Sequence, residues 1–283
     1  MSEKLWENLS EALERGDFYL ATQTYKTIGF RYSRRGEHSL AILSLSRGVV
    51  KLLESSEFIN ASELCSMILD VSKTSKLDMS SDFLRKAVTL ILRKLVSGAR
   101  SLLKFVIESY SIFSATLERD IASVSLEETH ELFSRFRSAF SILGEYVRAE
   151  RVTFERILLE SSQKANMHPL AQDFILFLSE WARRLSIWER DLLFVRELIQ
   201  AHILVRFVDE DDVVLKIVEQ ILGNPEQLEE FFGSRKLGIN LVRDIGFVRI
   251  GEKSLEALSI EYSGFFERDP AIEGLLLSVE AKD

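Results

Sequence analysis

Four histidines, His38, His130, His168 and His202, and one cysteine, Cys65, are the side chains in this chain best suited to nucleophilic or metal chemistry. Their spacing gathers none of them: no pair falls into HExxH, and no Cys-His interval matches a zinc site. The acidic run Asp209-Glu210-Asp211-Asp212 is the densest set of oxygen donors. Adjacent side chains do not converge on one ion, and the run stands directly before VVLKIVEQIL, where acids complement the exposed amides of a helix start. The paired acids Glu127-Glu128 and Glu229-Glu230 could exchange protons only in a cleft that separates their pKa values, which the sequence does not supply. Neither GxxxxGK[ST] nor GxGxxG occurs, and GFVRIG has the character of a turn. No catalytic residue, metal ligand or cofactor is therefore assigned. An enzyme whose site forms when folding gathers distant histidines and acids is kept as a third reading, which predicts a deep polar pocket.

Composition narrows the class. Of 283 residues 46% are hydrophobic and 28% charged, the balance of a soluble globular protein. A formal charge of -8 argues against a general phosphate-binding surface, so nucleic acid is not an expected partner. A single cysteine forms no internal disulfide and fits a reducing compartment, and Cys65 within Leu64-Cys65-Ser66-Met67 reads as a small core residue. The opening MSEKLWENLSEALERG lacks a continuous apolar signal core, and no stretch approaches the roughly 20 apolar residues that span a bilayer. The expectation is a cytosolic protein without membrane insertion.

The elements that must position any functional surface are helical. GDFYLA at 16–21, GEHSLA at 36–41 and SEFINA at 56–61 recur every twenty residues, so Ala21, Ala41 and Ala61 share one place in the repeat. Twenty residues make one helix and a turn, and about forty make a helical hairpin, the unit of a TPR-like solenoid. Gly16 and Gly36 suit the turn, and a small alanine lets neighbouring backbones approach. Leu20, Ala21, Thr24, Tyr25, Ile28 and Tyr32 lie on one side of the first such helix, while Leu40, Ala41, Leu43, Leu45, Val49, Leu52 and Leu53 give the next a broader apolar face. A further helix is predicted from about Asp82 to Leu95, capped by Ser80 or Ser81, with Gly98 before the next.

Ser125 and Glu128 form a capping pattern leading into HELFSRFRSAFSILGEYVRAERVTFERILLE, which is either one helix bent near Gly144 or two. Phe133, Phe136, Phe140, Leu143 and Val147 mark its apolar side, with Arg135, Arg137, Glu145 and Arg148 pointing mostly elsewhere. Asn166-Met167-His168-Pro169 is a break, after which helical patterning resumes through Phe207, with Trp181 and Trp188 at compatible core positions. NLVRDIGFVRIGEK is read as two short strands around Gly246, a small hairpin over 240–252. KSLEALSIEYSGFFERD and AIEGLLLSVEAKD read as closing helices.

LERGDFYLATQTYKTIGFRYSRRGEHSLAILSLSRGVVKLL resembles the Golgi-to-ER traffic protein four family, the helical scaffold subunit in guided entry of tail-anchored proteins. The resemblance rests on the Gly-acid-aromatic turn, Ala21, Tyr25-Lys26, Phe30-Arg31-Tyr32, Gly36 and Ala41. ASELCSMILDVSKTSKLDMSSD, FVRELIQAHILVRFVDEDD and IEYSGFFERDP look like later parts of the same family, whereas residues 95 to 168 match it as generic helices. The resemblance implies an all-α fold, a right-handed TPR-like solenoid continuous over residues 1–283. Its N-terminal half, 1–165, contacts a dimeric targeting ATPase, and its C-terminal half, 166–283, holds a ubiquitin-like subunit. The family performs no chemistry itself.

On that resemblance the ATPase-contact candidates are Arg15, Asp17, Lys26, Arg31, Arg34 and Arg35, a locally basic group able to meet an acidic surface. Tyr25 and Tyr32 are placed toward the packed side instead. The candidates for the ubiquitin-like partner are Leu237, Ile239, Leu241, Val242, Phe247 and Val248, which either cover a segment of another chain or seal the protein's own last helices. A TPR-like adaptor of a different pathway is the alternative reading.

Overall fold

The computed structural model describes residues 3–162, 167–205, 223–224, 239–241, 243–244 and 254–268. The chain forms two compact units, Met1–Val152 and Thr153–Asp283. The first holds α1 (Glu3–Glu14), α2 (Phe18–Arg34), α3 (His38–Glu54), α4 (Phe58–Thr74), α5 (Asp82–Arg93), α6 (Leu103–Arg119), α7 (Leu126–Ile142) and the start of α8 (Tyr146–Ser162). Each of α2 to α5 packs on the helix that follows it or on the next but one. Thus α2 and α4 touch, α4 and α6, α3 and α5, and α5 and α7. This is the two-layer arrangement of stacked helical hairpins.

The twenty-residue repeat is a repeat of turn geometry. Gly16, Gly36, Ser56 and Lys76 all occupy the left-handed region, with φ of 70°, 74°, 61° and 53°. Behind each, the next amide reaches five residues back: Asp17 N to Ala12 O at 2.9 Å, Glu37 N to Tyr32 O at 3.0 Å, Glu57 N to Leu52 O at 2.8 Å and Leu77 N to Ser72 O at 2.9 Å. These bonds satisfy carbonyls orphaned by the helix end and fix its exit direction. Ala21, Ala41 and Ala61 are all fully buried. The helices come close at Gly48, where a Cβ would lie 2.7 Å from Leu64 Cδ1 and 2.8 Å from the Tyr25 ring.

Ion pairs follow the hairpin interval as well. Lys26–Glu63, Lys73–Glu108, Arg93–Glu131, Lys94–Glu54, Arg119–Asp78 and Arg85–Glu128 join residues 35 to 43 apart. Most are exposed and contribute little each, about 0 to 1 kcal/mol, but opposite charges one hairpin apart favour this stacking register.

The long segment after Ser125 is two helices. Gly144 turns the chain with φ of 80°, and Glu145 N donates to Phe140 O at 2.8 Å. Ser125 caps α7: its Oγ accepts from Glu128 N–H at 3.3 Å and donates to the Glu128 carboxylate at 2.9 Å. Phe133, Phe136, Phe140 and Leu143 are buried as their spacing predicts, and Phe136 meets Tyr110 edge-on at 5.2 Å and stacks on Phe113 at 5.7 Å. Val147 departs from the prediction. It begins a new helix beyond the turn, so the phase of α7 no longer governs it, and it faces solvent. Leu20, Leu40 and Leu43 are likewise largely exposed, since each helix buries only the sides that meet its neighbours.

In the second unit, α9 (Met167–Ala182) and α10 (Ile187–Val205) pack together around Phe174, Phe177, Phe194 and Leu198. Phe174 contacts Phe154 of α8 at 5.8 Å, and Arg156 pairs with Asp173. The Arg196 guanidinium lies 5.5 Å from the Trp181 ring centre and donates to buried Glu197 at 2.8 Å. The side chain of Trp188 lies outside the described residues. Two short helices, α11 (Leu255–Glu261) and α12 (Ser263–Phe266), follow, with Ser254 capping α11 through a 3.1 Å bond from Ala257 N.

The expected hairpin is corrected where its sequence is described. Residues 239–241 and 243–244 are helical, and no strand occurs among the described residues. Leu241 and Asp244, three residues apart, are both buried, and Tyr262 Oη donates to Asp244 Oδ2 at 2.5 Å. A three-residue interval puts both side chains on one side of a helix and on opposite faces of a strand. The remainder of 240–252, the DEDD run and AIEGLLLSVEAKD lie outside the described residues.

Candidate protein-docking surface

The six basic-surface candidates separate by what each side chain already holds. Asp17 is the N-cap of α2, its Oδ1 accepting from Leu20 N at 2.9 Å. Arg15 pairs with Glu11 one turn back at 3.2 Å. Lys26 spans to Glu63 of α4 at 2.5 Å and is half-buried, so it clamps the two helices together. Arg31, Arg34 and Arg35 remain exposed in the last turn of α2 and at its C-cap, with no carboxylate partner among the described residues. Three cations there also complement the partial negative charge of the helix end.

Phe30 completes this surface and was not among the candidates. It is half exposed, and the Arg34 guanidinium sits 5.1 Å from its ring centre. Its signal in the sequence is phase: Tyr19, Gln23, Lys26 and Phe30 follow helical spacing on the side away from Ala21, Tyr25 and Ile28. Tyr25 is buried and Tyr32 half-buried, in keeping with packing. Burial pushes the Tyr25 hydroxyl above its ordinary pKa, with Arg47 opposing the shift.

Of the second candidate set, Ile239 is half-buried and Leu241 fully buried, while Leu237, Val242, Phe247 and Val248 lie outside the described residues. The burial of Leu241 accords with sealing of the protein's own helices, one of the two readings open for this stretch. Tyr262, beneath the same helix, has its hydroxyl pKa pushed up by burial and by the Asp244 carboxylate it donates to.

Of the residues suited to chemistry, the side chains of His168 and His202 and the acids at 209–212 and 229–230 lie outside the described residues. Cys65 is buried, and burial pushes its thiol well above the ordinary range, which keeps it protonated and unreactive. Glu128 is occupied by Ser125 and Arg85, whose hydrogen bonds hold its carboxyl below the usual range. Among the described residues no group of three or more His, Cys, Asp and Glu converges as metal ligands, and no helix is long and apolar enough to cross a membrane.

No family model matches the chain. A curated protein, the Golgi to ER traffic protein 4 homolog of Oryzias latipes, is 29% identical over 82 residues, which is 29% of this chain. The match spans about a quarter of that relative's length, 25%. Among solved structures, the crystal structure of C. therm. Get4 superposes with a TM-score of 0.63 over 97% of this chain and 88% of its own, at 16% identity. The chain thus has the Get4 fold along nearly its whole length, with weak local sequence similarity to the same family.

Proposed function

We propose that this chain is a non-enzymatic cytosolic scaffold in the delivery of tail-anchored proteins to the endoplasmic reticulum membrane. Its N-terminal helices dock a dimeric targeting ATPase, and its C-terminal half holds a ubiquitin-like subunit that carries a chaperone. The observation that supports this reading best is the agreement of two likenesses, in fold across the chain and in sequence over a shorter stretch, on one scaffold family. The exposed cluster Arg31, Arg34 and Arg35 beside Phe30 supplies what such docking needs. Exposed cations steer an acidic partner into encounter, and a half-exposed aromatic anchors it.

The test is capture of the recombinant ATPase and ubiquitin-like subunit by the intact chain. The expected result is that both bind, and that joint Arg31→Glu and Arg34→Glu substitution weakens ATPase capture at least about tenfold, with a reduced salt dependence. Capture of the ubiquitin-like subunit should be unchanged. Recovery of neither partner by a folded bait overturns the reading and returns the chain to an adaptor of another pathway.

A further inference from the structure

The repeated turns are not chemically alike. Gly16 and Gly36 hold the left-handed conformation without a Cβ, whereas Lys76 holds it at φ of 53° with a long cationic side chain. That backbone region crowds any Cβ, so lysine here lowers stability where glycine would not. No packing compensates, because Lys76 is exposed. The end of α4 does not need its charge either: Lys73 already stands in the last turn, 2.6 Å from Glu108. The Lys76 ammonium has no carboxylate partner among the described residues. Strain that the fold does not require points to function.

The repeat fixes where this cation lies. Lys76 occupies the place of Gly36 in the next hairpin. Helices α2 and α4 pack side by side, both antiparallel to the α3 between them, and the Lys26–Glu63 pair sets their register. Their C-terminal turns therefore share one edge, with Arg31, Arg34 and Arg35 on the first and Lys76 on the second. Adjacent helix axes lie about 8 to 10 Å apart, so one partner surface spans both turns. Most acids near this edge are engaged. Asp78 holds Arg119 at 2.7 Å, Asp82 holds Lys86 at 2.8 Å, Glu108 holds Lys73, and Asp70 lies within the field of Lys73. Glu37, exposed beside Gly36, offsets one of the four cations.

The geometry points to Lys76 as a further contact for an acidic face of the targeting ATPase, so that the docking surface is the shared edge of two hairpins rather than the end of α2. This rests on the reading of Arg31, Arg34 and Arg35 as the ATPase-docking cluster. The strain at Lys76 is then stability given up for binding, a trade that functional positions make.

Titration of the recombinant ATPase against the intact chain, at low and at raised ionic strength, tests the assignment with Lys76→Gly, Lys76→Glu and Lys76→Arg. Lys51→Glu is the control, since Lys51 stands in the last turn of α3, which ends at the opposite edge. Circular dichroism melting verifies that each variant folds. Lys76→Gly should melt up to a few degrees higher than the natural chain yet bind about threefold more weakly, and Lys76→Glu should bind about tenfold more weakly, both with a shallower salt dependence. Lys76→Arg and Lys51→Glu should bind within about twofold of the natural chain. If the natural chain binds and neither Lys76→Gly nor Lys76→Glu weakens it, the inference is overturned and the arginine reading stands. Equal weakening by Lys76→Glu and Lys51→Glu also overturns it, because the loss then follows net charge and not place. A folded natural chain that binds no ATPase removes the underlying reading, and the inference with it.

Discussion

Replacing Gly48 by alanine sets two physical effects against each other. Gly48 lies inside α3, where glycine is about 1 kcal/mol less favourable than alanine, so an isolated helix is stabilised by the change. In the folded protein the added Cβ falls 2.7 Å from Leu64 Cδ1 and 2.8 Å from Tyr25 Cγ and Cδ2. The leucine methyl can yield. The tyrosine ring cannot do so readily, since its Cγ is fixed close to the α2 backbone and the residue is buried. Overpacking of this kind costs about 1 to 3 kcal/mol. Set against the propensity gain, the net loss is on the order of 1 kcal/mol, a fall of about 2 to 4 °C in melting temperature for a unit of this size. Helical circular dichroism on heating reads it directly. A rise in melting temperature means that the close approach of α2, α3 and α4 at Gly48 is absent, and the packing argument for this stack fails.

Ser56 and Lys76 hold left-handed conformations that cost a residue bearing a Cβ about 1 kcal/mol, so Ser56→Gly and Lys76→Gly should each raise the melting temperature by up to a few degrees, while Gly36→Ala, with nothing within 4 Å of its new Cβ, should lower it by a like amount through backbone strain alone. Phe136→Ala, in the centre of the aromatic cluster, should cost about 3 to 5 kcal/mol, seen as a large drop in urea midpoint. Hydrogen bonds from Lys73 to Glu108 and from Arg93 to Glu131 hold these carboxyls below their ordinary pKa of 4.5, so their contribution is fully present above that value and is lost as pH falls beneath it. Glu108→Gln should therefore flatten the acid side of a melting temperature against pH curve. The same pair raises the Lys73 pKa above 10.5, and that contribution disappears as an alkaline titration passes the raised value.

The repeat was legible because turn, cap and small residue fall at fixed places: GDFYLA, GEHSLA and SEFINA place three of the repeat's four left-handed turns, and three alanines, where the structure has them. The fourth turn was hidden because Lys76 carries none of the glycine signal, and only its twenty-residue interval from Ser56 marks it. The aromatic side of α7 could be read from 3.6-residue phase until Gly144 reset that phase and left Val147 in solvent. NLVRD misled because a short apolar run with nearby glycines fits a strand or a helix equally well. The choice is made by tertiary contacts of Leu241 and by the bond between Asp244 and Tyr262, which join residues eighteen positions apart. At the candidate docking surface, charge alone could not separate Lys26, engaged with Glu63, from Arg31 and Arg34, because the partner lies on another helix.

The same turns also dictate which residues reach solvent. Tyr19, Ile59 and Val147 each stand three positions after a left-handed residue, Gly16, Ser56 and Gly144, and their exposures of 71%, 73% and 72% are nearly equal. An acid follows the turn in every case, Asp17, Glu57 and Glu145, and an aromatic residue comes next, Phe18, Phe58 and Tyr146. At these three turns, each followed by an acid and an aromatic residue, the second residue of the next helix faces outward, whereas Ser39 after Gly36 is only half-exposed and Met79, three positions after Lys76, is fully buried. Apolar character at the three outward positions brings no stability, because the side chain stays in water. Tyr19→Ser, Ile59→Ser and Val147→Ser should each leave the unfolding free energy within about 0.5 kcal/mol of the natural chain, whereas Ala61→Val, two residues beyond Ile59 at a fully buried position, should destabilise by about 1 to 3 kcal/mol through overpacking. Equal losses from the exposed and the buried substitutions contradict a phase set by the turn.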